Sequence, residues 1–308
     1  MNLSYPHSTL QIEPARRCNL NCEICMRQYL DETSALLSLE DFKKVLNSWH
    51  FQHVALHGWG EPLLNPQLFE MIKYAESQGV STELTTNATL LQANIEKIFS
   101  SGLSIIAFGI HKSEILPLVM PQIKELIAQR NRNKLKKPGT YIDIAIYRGN
   151  QNEIAQLIEA AAGLNIDAVV LHRVFDIQRA NPDTGYISIQ EERRLFRSIK
   201  KMARDLKIKL YLPPEPSVPC RAVKYGLFVT SGGKISPCPF LPEFIMGDAF
   251  NGDLQEVITS QRYKQFVKDM REHPVCGRCP LGSQSGSFYS NSENLALRAR
   301  SEFSGFAI

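Results

Sequence analysis

The chain has 308 residues, 44% hydrophobic and 21% charged, the balance of an ordinary globular protein able to bury a substantial core. Its formal charge of +4 is small for this length, and no basic run interleaved with aromatics calls for nucleic acid. The longest apolar run, Ile105 to Ile110, is far short of the roughly 20 residues that span a bilayer, and the N-terminus lacks a signal pattern, so a cytoplasmic protein with no membrane partner is expected.

From Thr9 onward, short β-rich runs alternate with amphipathic stretches long enough for one helix each. The predicted strands are Thr9 to Glu13, His53 to His57, Val80 to Thr86, Ser104 to Ile110, Tyr141 to Tyr147 and Ala168 to His172. Several are nearly continuous apolar runs, as buried parallel strands are. Ser38 with Asp41 reads as a cap opening the first helix, and Gly79, Gly102 and Gly163 stand where helix C-termini favour positive φ. Six βα units predict an α/β fold: a partial (βα)6 TIM-like barrel over residues 1–212, with its site in the loops beyond the carboxyl ends of the strands.

A basic helix from Ile189 to about Leu206 follows, carrying Arg193, Arg194, Arg197, Lys200, Lys201 and Arg204, and reads as a solvated face. Pro213, Pro214, Pro216 and Pro219 then mark a change of module. Within the second module, 213–282, Leu227 to Thr230 and Lys234 to Ser236 flank Gly232 and Gly233 as a tight hairpin. A helix from about Leu254 to Arg271 leads on to the last cysteines, and a Ser-rich tail, 283–308, ends the chain.

The seven cysteines form two groups: Cys18, Cys22 and Cys25, then Cys220, Cys238, Cys276 and Cys279. In a reducing compartment, CxxxCxxC and CxxC spacings point to metal rather than disulfides. Three thiolates on a cubane leave one iron open to an outside ligand, whereas four close a cluster completely. Zinc is the alternative for both groups, the first then borrowing a fourth ligand such as His7; it predicts a colourless binding module.

With Cys18, Cys22 and Cys25 followed by Gly58-Trp59-Gly60-Glu61-Pro62 after the second strand, the chain resembles the radical S-adenosylmethionine (SAM) enzymes. The resemblance implies a [4Fe–4S] cluster on the three cysteines whose open iron binds SAM. Gly58, Gly60, Glu61 and Pro62 would then hold the methionyl amine, and Asn87 would lie near the cofactor. Ile24 stands where the family usually has an aromatic near the adenine, so that contact would be aliphatic. The fourth strand reads Phe108-Gly109-Ile110-His111 in place of the family's serine and acid. Cys220, Cys238, Cys276 and Cys279 resemble the C-terminal auxiliary-cluster module of the same superfamily, in the shortened twitch form of the SPASM domain, implying one further [4Fe–4S] cluster.

The implied reaction is reductive cleavage of SAM to a 5′-deoxyadenosyl radical that takes a hydrogen atom from substrate, with an external electron donor such as flavodoxin or ferredoxin. Candidate acids, bases and anchors at strand ends are His172 and Arg173, adjacent and expected to act as a pair, together with His111, Tyr147, His57 and Arg148. Family resemblance favours a ribosomally synthesised peptide as substrate. The first strand begins almost at once, so a separate leader-peptide-recognition protein is expected as partner. The alternative is a small-molecule dehydrogenase acting on an alcohol or sugar.

Overall fold

The computed structural model describes residues 7–30, 35–175, 182–213, 220–241, 244–252, 254–276 and 279. The strands are β1 (Thr9–Ile12), β2 (His53–Leu56), β3 (Ser81–Thr86), β4 (Ile105–Gly109), β5 (Gly139–Ile146), β6 (Ala168–Arg173), β7 (Lys209–Tyr211), β8 (Gly226–Val229), β9 (Lys234–Ser236) and β10 (Gly247–Asp248). The helices are α1 (Leu39–Asn47), α2 (Leu68–Ser77), α3 (Ile95–Ser101), α4 (Leu116–Arg132), α5 (Ile154–Gly163), α6 (Ile189–Asp205), α7 (Arg221–Tyr225), α8 (Leu254–Thr259) and α9 (Gln261–Lys268). None among the described residues is long and apolar enough to cross a membrane. All six expected strands form, and each of the first five is followed by the expected helix.

The chain divides into two compact units, one joining residues up to Leu84 with those from Pro214 onward, the other running from Thr85 to Pro213. In the first, the strands run β10-β9-β8-β1-β2-β3. β1 lies parallel to β2, with Thr9 opposite His53 and Ile12 opposite Leu56. On its other side β1 is parallel to β8, with Thr9 opposite Gly226 and Ile12 opposite Val229. The predicted glycine hairpin is present as antiparallel β8 and β9, and it joins the sheet at β1. All four residues of β1 and all four of β2 are buried, the mark of parallel strands covered on both faces.

The second unit holds β4-β5-β6-β7, all parallel. Side chains alternate across a strand, and β5 shows it: Ile142, Ile144 and Ile146 are fully buried, while Asp143 and Ala145 on the opposite face are only half-buried.

Local chemistry explains the helix ends. Ser38 Oγ accepts the Asp41 N–H at 3.0 Å to open α1, and Ser188 forms a reciprocal capping box with Glu191 to open α6. Gly102 caps α3 at φ 80°. After α5 the left-handed residue is Asn165, φ 58°, and not Gly163, which closes the helix itself; asparagine tolerates this region through local hydrogen bonding of its side chain. The single helix expected from Leu254 to Arg271 is two. Ser260 adopts an extended backbone at φ −61°, ψ 152° and caps α9 by accepting the Tyr263 N–H.

Candidate functional site

In the first unit, β1 delivers the chain to Glu13, and the loop beyond carries Cys18, Cys22 and Cys25. A backbone bond from Cys25 N–H to the Cys22 carbonyl closes a turn. The Leu20 N–H donates to Cys18 Sγ at 3.4 Å, and Arg27 Nη2 donates to the Leu20 carbonyl at 3.1 Å, fastening the loop to the 3-10 turn that follows. None of the three is in a disulfide, and Cys22 is the most exposed. Burial and then the neighbouring charges of Cys25 and Cys18 push the Cys22 thiol up to about 11. Burial likewise raises Cys25, with Cys18 contributing. Three thiols on one short loop, two of them raised by burial and neighbouring charge, are a soft donor set that fits an iron–sulfur cluster. Ile24 is half-buried on this loop.

The Gly58 to Pro62 segment lies against that loop. A Cβ on Gly60 would stand 2.0 Å from the Ala15 carbonyl oxygen and 2.5 Å from that of Arg17, and one on Gly58 would stand 2.6 Å from Glu13 Cγ. Only glycine allows this approach. These contacts press the glycine segment onto the cysteine loop. The Glu61 N–H donates to the Arg17 carbonyl at 2.7 Å. Its side chain is buried, and Oε1 accepts the Leu63 N–H at 2.9 Å, capping the 3-10 turn begun by Pro62.

Glu13 organises the whole arrangement and was read from sequence only as the end of a strand. Fully buried, it accepts the Trp59 N–H at Oε1, 2.8 Å, and Arg16 Nε at Oε2, 2.7 Å. The Ser231 N–H and hydroxyl also reach Oε2, at 3.2 and 3.1 Å. The one available signal was an acid placed directly after an apolar strand. Directly after β2, His57 Nδ1 lies 3.3 Å from Gln11 Nε2.

The second cysteine group sits in the same unit. Cys220 is the N-cap residue of α7, Cys238 follows β9, and the Cys279 N–H donates to the Cys276 carbonyl at 3.1 Å. Burial, then Cys220, Cys279 and Cys276, raise the Cys238 thiol well above its usual range. Burial, Cys220 and Cys279 push Cys276 up to about 12. Cys238 and Cys276 thus feel the charges of the other thiols of this group, and an all-sulfur set of four suits a closed cluster. Among the described residues no three His, Cys, Asp or Glu side chains stand close enough to share a single metal ion.

The remaining candidates belong to the second unit. His111 follows β4; its Nδ1 accepts the Ala145 N–H at 3.2 Å, leaving the proton of the neutral ring on Nε2. Burial lowers its pKa, as does His172, against the opposing pull of Asp143. Asp143 Oδ1 lies 2.9 Å from His172 Nε2, both side chains about a fifth exposed. The structure thus brings His111 and His172 together around Asp143, which sequence reasoning missed inside an apolar run.

It separates His172 from Arg173, expected to work as a pair. Adjacent strand residues face opposite sides, and Arg173 is buried against Glu192 of α6, Nε to Oε2 2.7 Å, with Tyr186 Oη 3.0 Å away. Tyr147 is enclosed, with Lys112 Nζ 5.9 Å from its ring centre. Asn87 forms a local turn, Oδ1 accepting the N–H and hydroxyl of Thr89 at 3.0 and 2.6 Å.

Comparison with known proteins agrees with this arrangement. The model of the Radical SAM superfamily matches residues 12–174, and that of an iron–sulfur cluster-binding domain, SPASM, matches residues 220–280. The tungsten-containing aldehyde ferredoxin oxidoreductase cofactor-modifying protein of Pyrococcus furiosus is 22% identical, the match covering 88% of this chain and 87% of that one. The subtilosin biosynthesis protein AlbA of Bacillus subtilis is 22% identical over 92% of this chain and 67% of its own. Streptococcus suis SuiB bound to S-adenosylmethionine shares the fold at a TM-score of 0.73 and 18% identity, covering 94% of this chain and 75% of that one. The α/β architecture with its mostly parallel sheet is accordingly the partial TIM-type barrel of these proteins, followed by a C-terminal SPASM domain. With more than half of its length matched by one family model, the chain belongs to the Radical SAM superfamily.

Proposed function

We propose that the protein uses SAM and two [4Fe–4S] clusters to modify a ribosomally synthesised peptide. Cys18, Cys22 and Cys25 hold the SAM-binding cluster, and Cys220, Cys238, Cys276 and Cys279 the auxiliary one. When bound, the first cluster and SAM supply a 5′-deoxyadenosyl radical that removes a hydrogen atom from substrate. Gly58, Gly60, Glu61 and Pro62 hold the methionyl end of SAM, with Ile24 and Asn87 nearby. An external donor of the flavodoxin or ferredoxin type delivers the electron.

His172, Asp143 and His111 are the acid–base group. Neutral His111 presents a proton on Nε2, and Asp143 orients His172 to accept one from substrate. Tyr147 and Arg173 support the strands that carry them.

What carries the reading is the joint presence of the two cysteine groups and the glycine segment packed on the first. The peptide assignment is supported by AlbA, named for bacteriocin biosynthesis, and by the fold shared with SuiB bound to the precursor peptide SuiA, TM-score 0.72. The Pyrococcus relative, named for cofactor modification, favours a second reading in which the substrate is a small molecule.

The test is anaerobic incubation of reconstituted protein with SAM, dithionite and each short peptide encoded beside its gene, followed by mass spectrometry. A SAM-dependent mass change in one peptide is expected. Catalytic turnover of a small alcohol or sugar with every peptide unchanged would replace the peptide assignment with the second reading.

A further inference from the structure

Trp59, the residue between the two essential glycines, touches both cysteine sites. Its carbonyl oxygen lies 3.7 Å from Cys25 Sγ. Its indole Nε1 donates to the carbonyl of Pro239, the residue after Cys238, at 3.1 Å. Its ring meets Phe240 edge to face, centroids 5.7 Å apart at 63°. Its own N–H is anchored on buried Glu13. One residue therefore runs from a sulfur of the first site, through its backbone and indole, to the carbonyl of the residue that follows a cysteine of the second.

The glycines on either side account for the close approach to the cysteine loop, and any apolar side chain would cover Phe240. A large π-system with a single donor, fixed at both ends, is instead suited to couple the two sites electronically.

We infer that Trp59 is the bridge through which an electron moves between the two clusters. The inference rests on the reading that both cysteine groups hold clusters. One electron leaves the reduced cluster and one arrives at the oxidised cluster. No covalent bond forms or breaks and no proton moves, and the first electron enters from an external one-electron donor. Trp59 acts through its neighbours and is a positioning residue, not a catalytic one.

Two variants separate its parts: Trp59→Phe keeps an aromatic ring and removes the N–H, and Trp59→Leu removes both. Iron and sulfide are counted first. Wild-type protein holding a single cluster overturns the functional reading, and this inference with it. With two clusters present, the protein is mixed with a half-equivalent of titanium(III) citrate, and redistribution of the electron between clusters is followed by freeze-quench EPR. The bridge predicts redistribution about threefold slower in Trp59→Phe and at least about tenfold slower in Trp59→Leu, with the g-values and midpoint potentials of each cluster unchanged. A purely structural tryptophan would shift those spectra or lose iron instead. Should Trp59→Leu fail to assemble, Trp59→Phe decides alone. Redistribution at the wild-type rate in Trp59→Phe, with both clusters intact, overturns the bridge while leaving the functional reading in place.

Discussion

Ser231 donates both its backbone N–H, at 3.2 Å, and its hydroxyl, at 3.1 Å, to one buried oxygen of Glu13. The pair ties the end of the first strand to the β8–β9 hairpin that leads to Cys238, across a separation of 218 residues. Arg16 shares the same oxygen at 2.7 Å and is itself buried.

Glu13→Ala should therefore remove the buried ion-pair partner of Arg16 and the acceptor of the Ser231 N–H. Removing one partner of a buried ion pair costs about 3–5 kcal/mol, and urea unfolding of the cluster-free protein is expected to show a loss in that range. Ser231→Ala, which removes only the hydroxyl donor, should cost about 0.5–1.5 kcal/mol.

Gly60→Ala drives a methyl group into the Ala15 and Arg17 carbonyls, backbone atoms that cannot rotate away. Overpacking of this kind costs about 1–3 kcal/mol, and displacing the segment should weaken SAM binding by about tenfold or more. Equilibrium dialysis with labelled SAM measures it. Iron at the second cysteine group should be retained, since Gly60 does not touch it.

His111 is held neutral chiefly by burial, its pKa depressed below 6.5. A histidine with a depressed folded-state pKa contributes stability that is present above the unfolded value and lost as pH falls through the folded one. Thermal unfolding of cluster-free protein should thus lose stability below about pH 6.5, and His111→Gln should flatten that dependence. Imidazole NMR resonances would report the same event directly: the His111 ring should stay neutral at a pH where an exposed histidine is charged.

The Arg173 and Glu192 side chains, each about 5% exposed and 2.7 Å apart, form the tie between β6 and α6. Glu192→Ala is expected to destabilise by about 3–5 kcal/mol. Arg197→Ala, on the exposed face of the same helix, should stay within about 0.5 kcal/mol of wild type. Denaturant titration of the two variants side by side checks the contrast.

The sheet was legible because its strands are short apolar runs bounded by glycine and polar turns, and both cysteine groups were legible because metal sites impose spacing along the chain. What could not be read was whatever depends on the third dimension. Asp143 sits among isoleucines, and only the pairing of β5 with β6, Ala145 opposite His172, brings it beside the histidine. His172 and Arg173 are neighbours in sequence and face opposite ways in a strand. Glu13 is one acid among many until its four hydrogen bonds converge. Trp59 reads as filler between glycines, because its partner Pro239 lies 180 residues away. The broken helix at Ser260 was missed for a local reason: an N-cap serine inside an otherwise helical pattern was passed over.

The most direct test of the account is iron and sulfide counting on anaerobically reconstituted protein, joined to an assay for 5′-deoxyadenosine after adding SAM and dithionite. The account predicts about eight irons and eight sulfides per chain, with 5′-deoxyadenosine formed. Replacing Cys18, Cys22 and Cys25 together by alanine should leave about four irons and abolish the product. A full complement of iron with no SAM cleavage under strong reductant, or colourless protein holding zinc at both cysteine groups, would contradict it.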